Sequence, residues 1–90
     1  MARHLSAMKR ARQNKKRQAR NRARKTRVKN LVRDVRQAVA QNNLAEAEAA
    51  LQKATPVIAK VAAQGTLHWR TAARKISRLT RQVNALKAAQ

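Results

Sequence analysis

Ninety residues carrying 23 lysines and arginines against 3 acids give a formal net charge of +20, so at most one domain is expected and the working partner must be strongly negative. The absence of cysteine removes disulfides and thiolate metal sites, and no apolar run approaches the roughly 18 residues that span a bilayer. An arginine-rich stretch stands after Met1 where a secretory signal would be apolar, and with little besides alanine between its charges it lacks the amphipathic pattern of a transit peptide.

Glycine and proline occur once each, and alanine, leucine, arginine, lysine and glutamine predominate. These are helix formers, so an all-α protein is expected. Residues 1–30 hold 13 basic residues and no acid, whereas residues 31–90 hold 10 basic residues and all 3 acids. Such polarisation is the layout of a nucleic-acid-binding arm.

The first helix is expected to start near Ser6 as N-cap and to run to about Gln41. Its apolar seam is Val28, Leu31, Val32, Val35 and Val39, spaced by threes and fours. Continued backwards in heptad steps, that seam meets Arg24, Asn21 and Arg17, which a bundle core cannot accept without a large desolvation cost. The N-terminal half should therefore project beyond the bundle. This gives a basic arm at 1–27, continuous with the first helix, and a bundle at 28–90.

Asn42 and Asn43 break the helix, and Asn43 with Glu46 has capping-box spacing. The second helix carries the seam Leu44, Ala47, Leu51, Ala54, Ile58 and Val61. Pro56 interrupts it, and the seam keeps its phase on both sides, so one kinked helix is expected rather than two short ones. Gly65 should end it in the left-handed conformation, and Thr66 should cap the third helix. The third seam is Trp69, Ala72, Ile76, Leu79, Val83 and Leu86, leaving Lys87 to Gln90 to fray. Three amphipathic helices with short loops imply an antiparallel three-helix bundle with a long basic first helix projecting beyond it.

On the third helix, at about 100° per residue, Arg70, Arg74 and Arg81 fall opposite the seam, with Arg78 flanking them. Such a guanidinium row can meet phosphates with bidentate hydrogen bonds. On the arm, Lys9, Arg10, Arg12, Lys15, Lys16, Arg17, Arg20, Arg22, Arg24, Lys25, Arg27 and Lys29 surround the helix on all sides. Like charges three and four residues apart repel, so the arm is expected to fray when free and to become helical on a polyanion. An all-round basic helix suits folded RNA, where phosphates approach from several directions. A DNA-groove helix would divide its faces between backbone and bases, and a membrane-surface helix would need an apolar face.

Trp69 is the only aromatic besides the two histidines, and its place on the seam puts it in the core or at the bundle edge rather than under a nucleobase. His68, at the start of the third helix, can touch a phosphate or simply occupy a loop. Two histidines, one aspartate and two serines offer no nucleophile–base pair and no ligand cluster, so neither catalysis nor a metal or other cofactor is expected.

The stretch Ser6-Ala7-Met8-Lys9-Arg10-Ala11-Arg12-Gln13 resembles the opening of the bacterial small-subunit ribosomal protein family numbered twenty. Ala63-Gln64-Gly65-Thr66-Leu67-His68, then Ala72-Ala73-Arg74-Lys75 and Ser77-Arg78-Leu79, resemble it further, as does Pro56 within the second helix. The likeness covers nearly the whole chain in the same order. It implies a three-helix bundle with an extended first helix and early binding to 16S ribosomal RNA, in the 5′ domain and near the 3′ minor domain. Carried over by position, it adds Ser6 and Gln13 on the arm, and Lys75 and Ser77 on the third helix, to the RNA-contacting set, with which Arg3, Asn14 and Asn21 of the same arm are counted. Where the family often has Asn, a branched apolar residue and Lys before the Ser-Ala pair, this chain has Arg3, His4 and Leu5, so the family's lysine has no counterpart at Leu5. The implied setting is a bacterial ribosome in the cytoplasm, with 16S ribosomal RNA as partner, few protein neighbours, no membrane and no small-molecule substrate.

Overall fold

A computed structural model describes residues 2–90, with side chains described from His4 onward. Three helices make up the fold: α1 (Ala2–Ala40), α2 (Leu44–Ala63) and α3 (Trp69–Ala89). At 1.5 Å per residue α1 is about 58 Å long, roughly twice the length of either partner. The molecule is accordingly elongated, measuring 68 × 21 × 14 Å with a radius of gyration of 18.0 Å. A compact chain of this length would have a radius near 12 Å.

The chain runs up, down and up. Thr66, in the α2–α3 loop, meets Asn21 and Arg24 of α1, while Gln90 Nε2 donates to the carbonyl oxygen of Asn42 in the α1–α2 turn at 3.1 Å. The bundle therefore spans α1 from about Asn21 upward, and the part before it projects. α1 packs most extensively on α2 and least on α3.

The core follows the seams. Val35, Ile58 and Leu79, one from each helix, are the largest fully buried side chains. Around them lie Val28, Leu31, Val32 and Ala38 of α1, Ala47, Ala54 and Val61 of α2, and Ala72, Val83 and Leu86 of α3. Val39, Leu44, Leu51 and Ile76 are half-buried at the edges. The fully buried Ala47 and Ala54 let the neighbouring helix approach α2 closely, because interaxial distance follows side-chain size at the contact.

Both turns use the same device. Asn42 adopts φ 56°, with Asn42 N–H on the Val39 carbonyl and Asn43 N–H on the Ala38 carbonyl, both at 3.0 Å. Gly65 adopts φ 80°, with Gly65 N–H on Ala62 at 3.0 Å and Thr66 N–H on Val61 at 3.3 Å. Each is a Schellman ending that satisfies carbonyls left over by the helix. Only half of the expected capping box forms at Asn43: its Oδ1 accepts from Glu46 N–H at 3.2 Å, but its own N–H is already committed to Ala38. Pro56 sits inside an unbroken α2, so the single-helix reading holds.

Several expectations are corrected. α1 begins at Ala2 rather than Ser6, because no breaker separates those residues and alanine and arginine favour helix. The arm lies in the same unbroken helix, the conformation expected of it on a polyanion. Thr66 does not cap α3. His68 does, its Nδ1 accepting from Arg70 N–H at 3.1 Å, while the Thr66 hydroxyl turns to α1. Lys87 to Ala89 remain helical, and the Gln90 side chain ties that end to Asn42. Trp69 is 65% exposed, not a core or edge residue. It is the first residue of α3, where Cα–Cβ bonds lean towards the helix start and so carry the ring off the end of the packed layer.

Candidate nucleic-acid interface

The projecting arm is exposed on every side. From His4 to Arg20 every side chain is exposed, including Ser6, Lys9, Arg10, Arg12, Gln13, Asn14, Lys15, Lys16, Arg17 and Arg20. The Arg3 side chain lies outside the described residues. Arg22, Lys25, Arg27 and Lys29 are also exposed, whereas Asn21 and Arg24 are half-buried. Among the described residues the only ion pair joins neighbouring Arg33 and Asp34 at 4.0 Å, with both side chains largely in solvent. Among the described residues no carboxylate pairs with a cation of the arm, and that charge remains available to an external polyanion.

Where arm and bundle join, polar contacts replace the core. The Thr66 hydroxyl donates to Asn21 Oδ1 at 3.2 Å and accepts from Arg24 Nη1 at 3.4 Å. Asn21 and Arg24, expected to project with Arg17, are thus the points where α1 grips the α2–α3 loop. The desolvation argument excludes them from an apolar core and does not exclude a half-buried polar contact. Arg17, Arg20 and Arg24 line one concavity with the backbone of Gly65 and with Gln64.

A second surface runs up the bundle between α1 and α3. An open groove of about 700 Å³ has Val28, Val32, Val61 and Leu67 in its floor. Lys25, Lys29, Arg33 and Arg36 of α1 and Lys75 of α3 form its rim. The groove exists because α1 and α3 pack least extensively of the three pairs. An apolar floor suits the stems of long cationic side chains, whose heads stay in solvent. Arg33 and Arg36 were missing from the sequence-derived set. The signal was available, since Lys25, Lys29, Arg33 and Arg36 recur at steps of four, four and three, and so share one face. Lys53 of α2 was missed too; it lines a shallow depression with Arg22 and Arg27, and no periodicity within α2 marks it.

On α3, Arg70, Arg74, Ser77, Arg78 and Arg81 are exposed, in keeping with a guanidinium row opposite the seam. Lys75 is half-buried and belongs to the groove instead. His68 is exposed as the helix cap. Among the described residues no cluster of three or more His, Cys, Asp or Glu could hold a metal, and no helix is long and apolar enough to cross a membrane.

An all-helical bundle, extended by a helix that is basic all round and whose described cations have no carboxylate paired to them, defines a class of small polycationic proteins suited to sit against a polyanion. The chain belongs to the ribosomal protein S20 family, whose model matches residues 2–84. It is similar to the small ribosomal subunit protein bS20 of Nitratidesulfovibrio vulgaris (strain DP4), at 55% identity over 93% of this chain and 97% of that one. The bS20 proteins of Desulfovibrio desulfuricans (52% identity, 98% and 99% covered) and Syntrophobacter fumaroxidans (51%, 96% and 100%) are similar along the same length. The family fixes the role as structural and ribosomal, not enzymatic.

Proposed function

We propose that this chain is a structural constituent of the bacterial small ribosomal subunit that binds 16S ribosomal RNA in its 5′ domain, near the 3′ minor domain, and stabilises that RNA during and after assembly. The observation that carries the reading is the projecting arm: exposed and basic on every side, with no carboxylate among the described residues paired to its cations. Residues 1–27 act as the RNA-binding arm, which projects as far as about Arg20 and lies along the bundle from Asn21, and residues 28–90 supply the core of a shaped bundle whose groove and α3 arginines add further phosphate contacts. Folded RNA is met mainly through shape, phosphates and 2′-hydroxyls, which suits a surface with many cations and few base-reading groups. Ribosomal RNA is the main partner, protein neighbours are few, and the protein resides on the ribosome in the cytoplasm.

The test is competition binding across a salt series. Labelled 16S 5′-domain RNA is challenged with a shuffled RNA of equal length and with duplex DNA. Survival of the 16S complex in excess competitor at moderate salt is the expected result. Equal competition by all three would mean that charge alone governs binding, and a nucleoid-type DNA-binding role would then describe the protein better.

A further inference from the structure

Trp69 is the one large aromatic of the chain, and it stands in solvent at 65% exposure. Aromatic rings ordinarily carry much of a small core, so an exposed indole on a bundle with no other large aromatic calls for a function. The ring is also held. His68 stacks beside it, with ring centroids 5.8 Å apart and an interplanar angle of 26°, and His68 is itself fixed by its cap hydrogen bond to Arg70 N–H. The Arg70 guanidinium carbon lies over the indole, 5.3 Å from its centroid. An indole ordered in advance has less freedom to lose when a ligand arrives.

Its position is equally informative. Trp69 follows by three residues the Thr66 that binds Asn21 and Arg24, a reach of about 10 Å at most. Trp69 therefore lies at the end of the bundle where the basic arm leaves it, the end that also holds the concavity of Arg17, Arg20 and Arg24. A strand whose phosphates are drawn to those arginines need extend only a few nucleotides to meet the indole.

We infer that Trp69 is a stacking platform for one unpaired nucleobase of the bound RNA, the base taking the place that the exposed Arg70 guanidinium holds over the indole and Arg70 turning to the adjoining phosphate. This rests on the RNA-binding reading and adds to it a base contact that charge alone does not supply. A net charge of +20 favours a polyanionic occupant over a cationic or neutral protein surface. Binders that track single strands without preference use several rings, so one ring marks a single anchored base within a folded RNA.

The single tryptophan makes its own probe. The full chain is titrated with 16S 5′-domain RNA while indole emission is followed, and affinities are measured for Trp69→Leu and Trp69→Phe, each checked by circular dichroism for an intact bundle. Stacking predicts saturable quenching at one RNA per protein. It also predicts a roughly 5- to 150-fold loss of affinity in Trp69→Leu, the range that alanine substitution of stacked aromatics gives. Trp69→Phe should keep most of the affinity, and the salt slope should be unchanged in both, because no counterion is released by stacking. Unchanged affinity in Trp69→Leu, or a blue shift without quenching as expected for an apolar protein contact, would overturn the stacking role. In either case tight RNA binding by the unmodified chain would leave the RNA reading standing. Failure of the unmodified chain to bind the RNA would overturn both.

Discussion

Replacing Arg10, Arg17 and Arg20 together by glutamine separates phosphate contact from fold. All three side chains are exposed, lie on the projecting arm and make no hydrogen bond or ion pair within the described residues. Steps of seven and three place them on one face of α1. Glutamine keeps a similar helix propensity, and losing the Arg17–Arg20 repulsion adds at most a few tenths of a kcal/mol, so the thermal midpoint should hold or rise slightly. Each phosphate neutralised contributes about 0.7 to the log–log salt slope on single strands and about 0.9 on duplex. Losing three contacts should therefore flatten the slope by about 2 to 3. At 0.1 M salt that corresponds to roughly 100- to 500-fold weaker binding, a difference that should vanish on extrapolation to 1 M. The assay is a filter-binding or fluorescence-anisotropy series from 50 to 300 mM salt with both proteins. Parallel salt plots would show that these arginines meet no phosphate, and the arm would lose its assigned role. Arg24 is left out of this set because its bond to Thr66 would mix a structural loss with an electrostatic one.

Other expectations concern the fold that presents this surface. Ile58→Ala opens a cavity at the centre of the core and should cost about 2–5 kcal/mol, measured by urea denaturation; a loss below about 1 kcal/mol would mean that the three helices are not closed around it. Gly65→Ala meets no atom within 4 Å of the added Cβ, so its cost should be the left-handed backbone alone, about 1–2 kcal/mol, and no larger effect should appear in the thermal midpoint. Thr66→Val removes the hydroxyl that Asn21 and Arg24 share and should cost about 1 kcal/mol while increasing amide exchange in the α2–α3 loop; unchanged exchange would show that the contact does not hold the loop to α1.

Much of this architecture was legible in the order of residues. Seams at steps of three and four define three helices, and nearly every seam residue is buried or half-buried. Asn42 and Gly65 stand where left-handed endings occur, because those two residue types tolerate positive φ. The backward extension of the α1 seam into Arg24, Asn21 and Arg17 correctly requires the core to end before them. The exclusion of enzymatic roles follows from groups that are missing, and family membership agrees.

Periodicity failed where an element ends, since it describes the interior of a helix and not its terminus. Trp69 has the phase of a core residue, yet it occupies the first position of α3, beyond which no layer remains to pack against. Thr66 and His68 are both plausible caps by position, and only the approach of α1 decided between them by giving the Thr66 hydroxyl two partners. The groove rimmed by Lys25, Lys29, Arg33, Arg36 and Lys75 brings together residues up to fifty positions apart, through the looser packing of α1 on α3. By itself the sequence determined an all-helical, strongly cationic chain with an arm too polar to be buried, because propensity, periodicity and charge are local properties. Only the tertiary structure decided which cations share a surface, which polar groups join arm to bundle, and that the one indole faces solvent, because those depend on how distant segments meet.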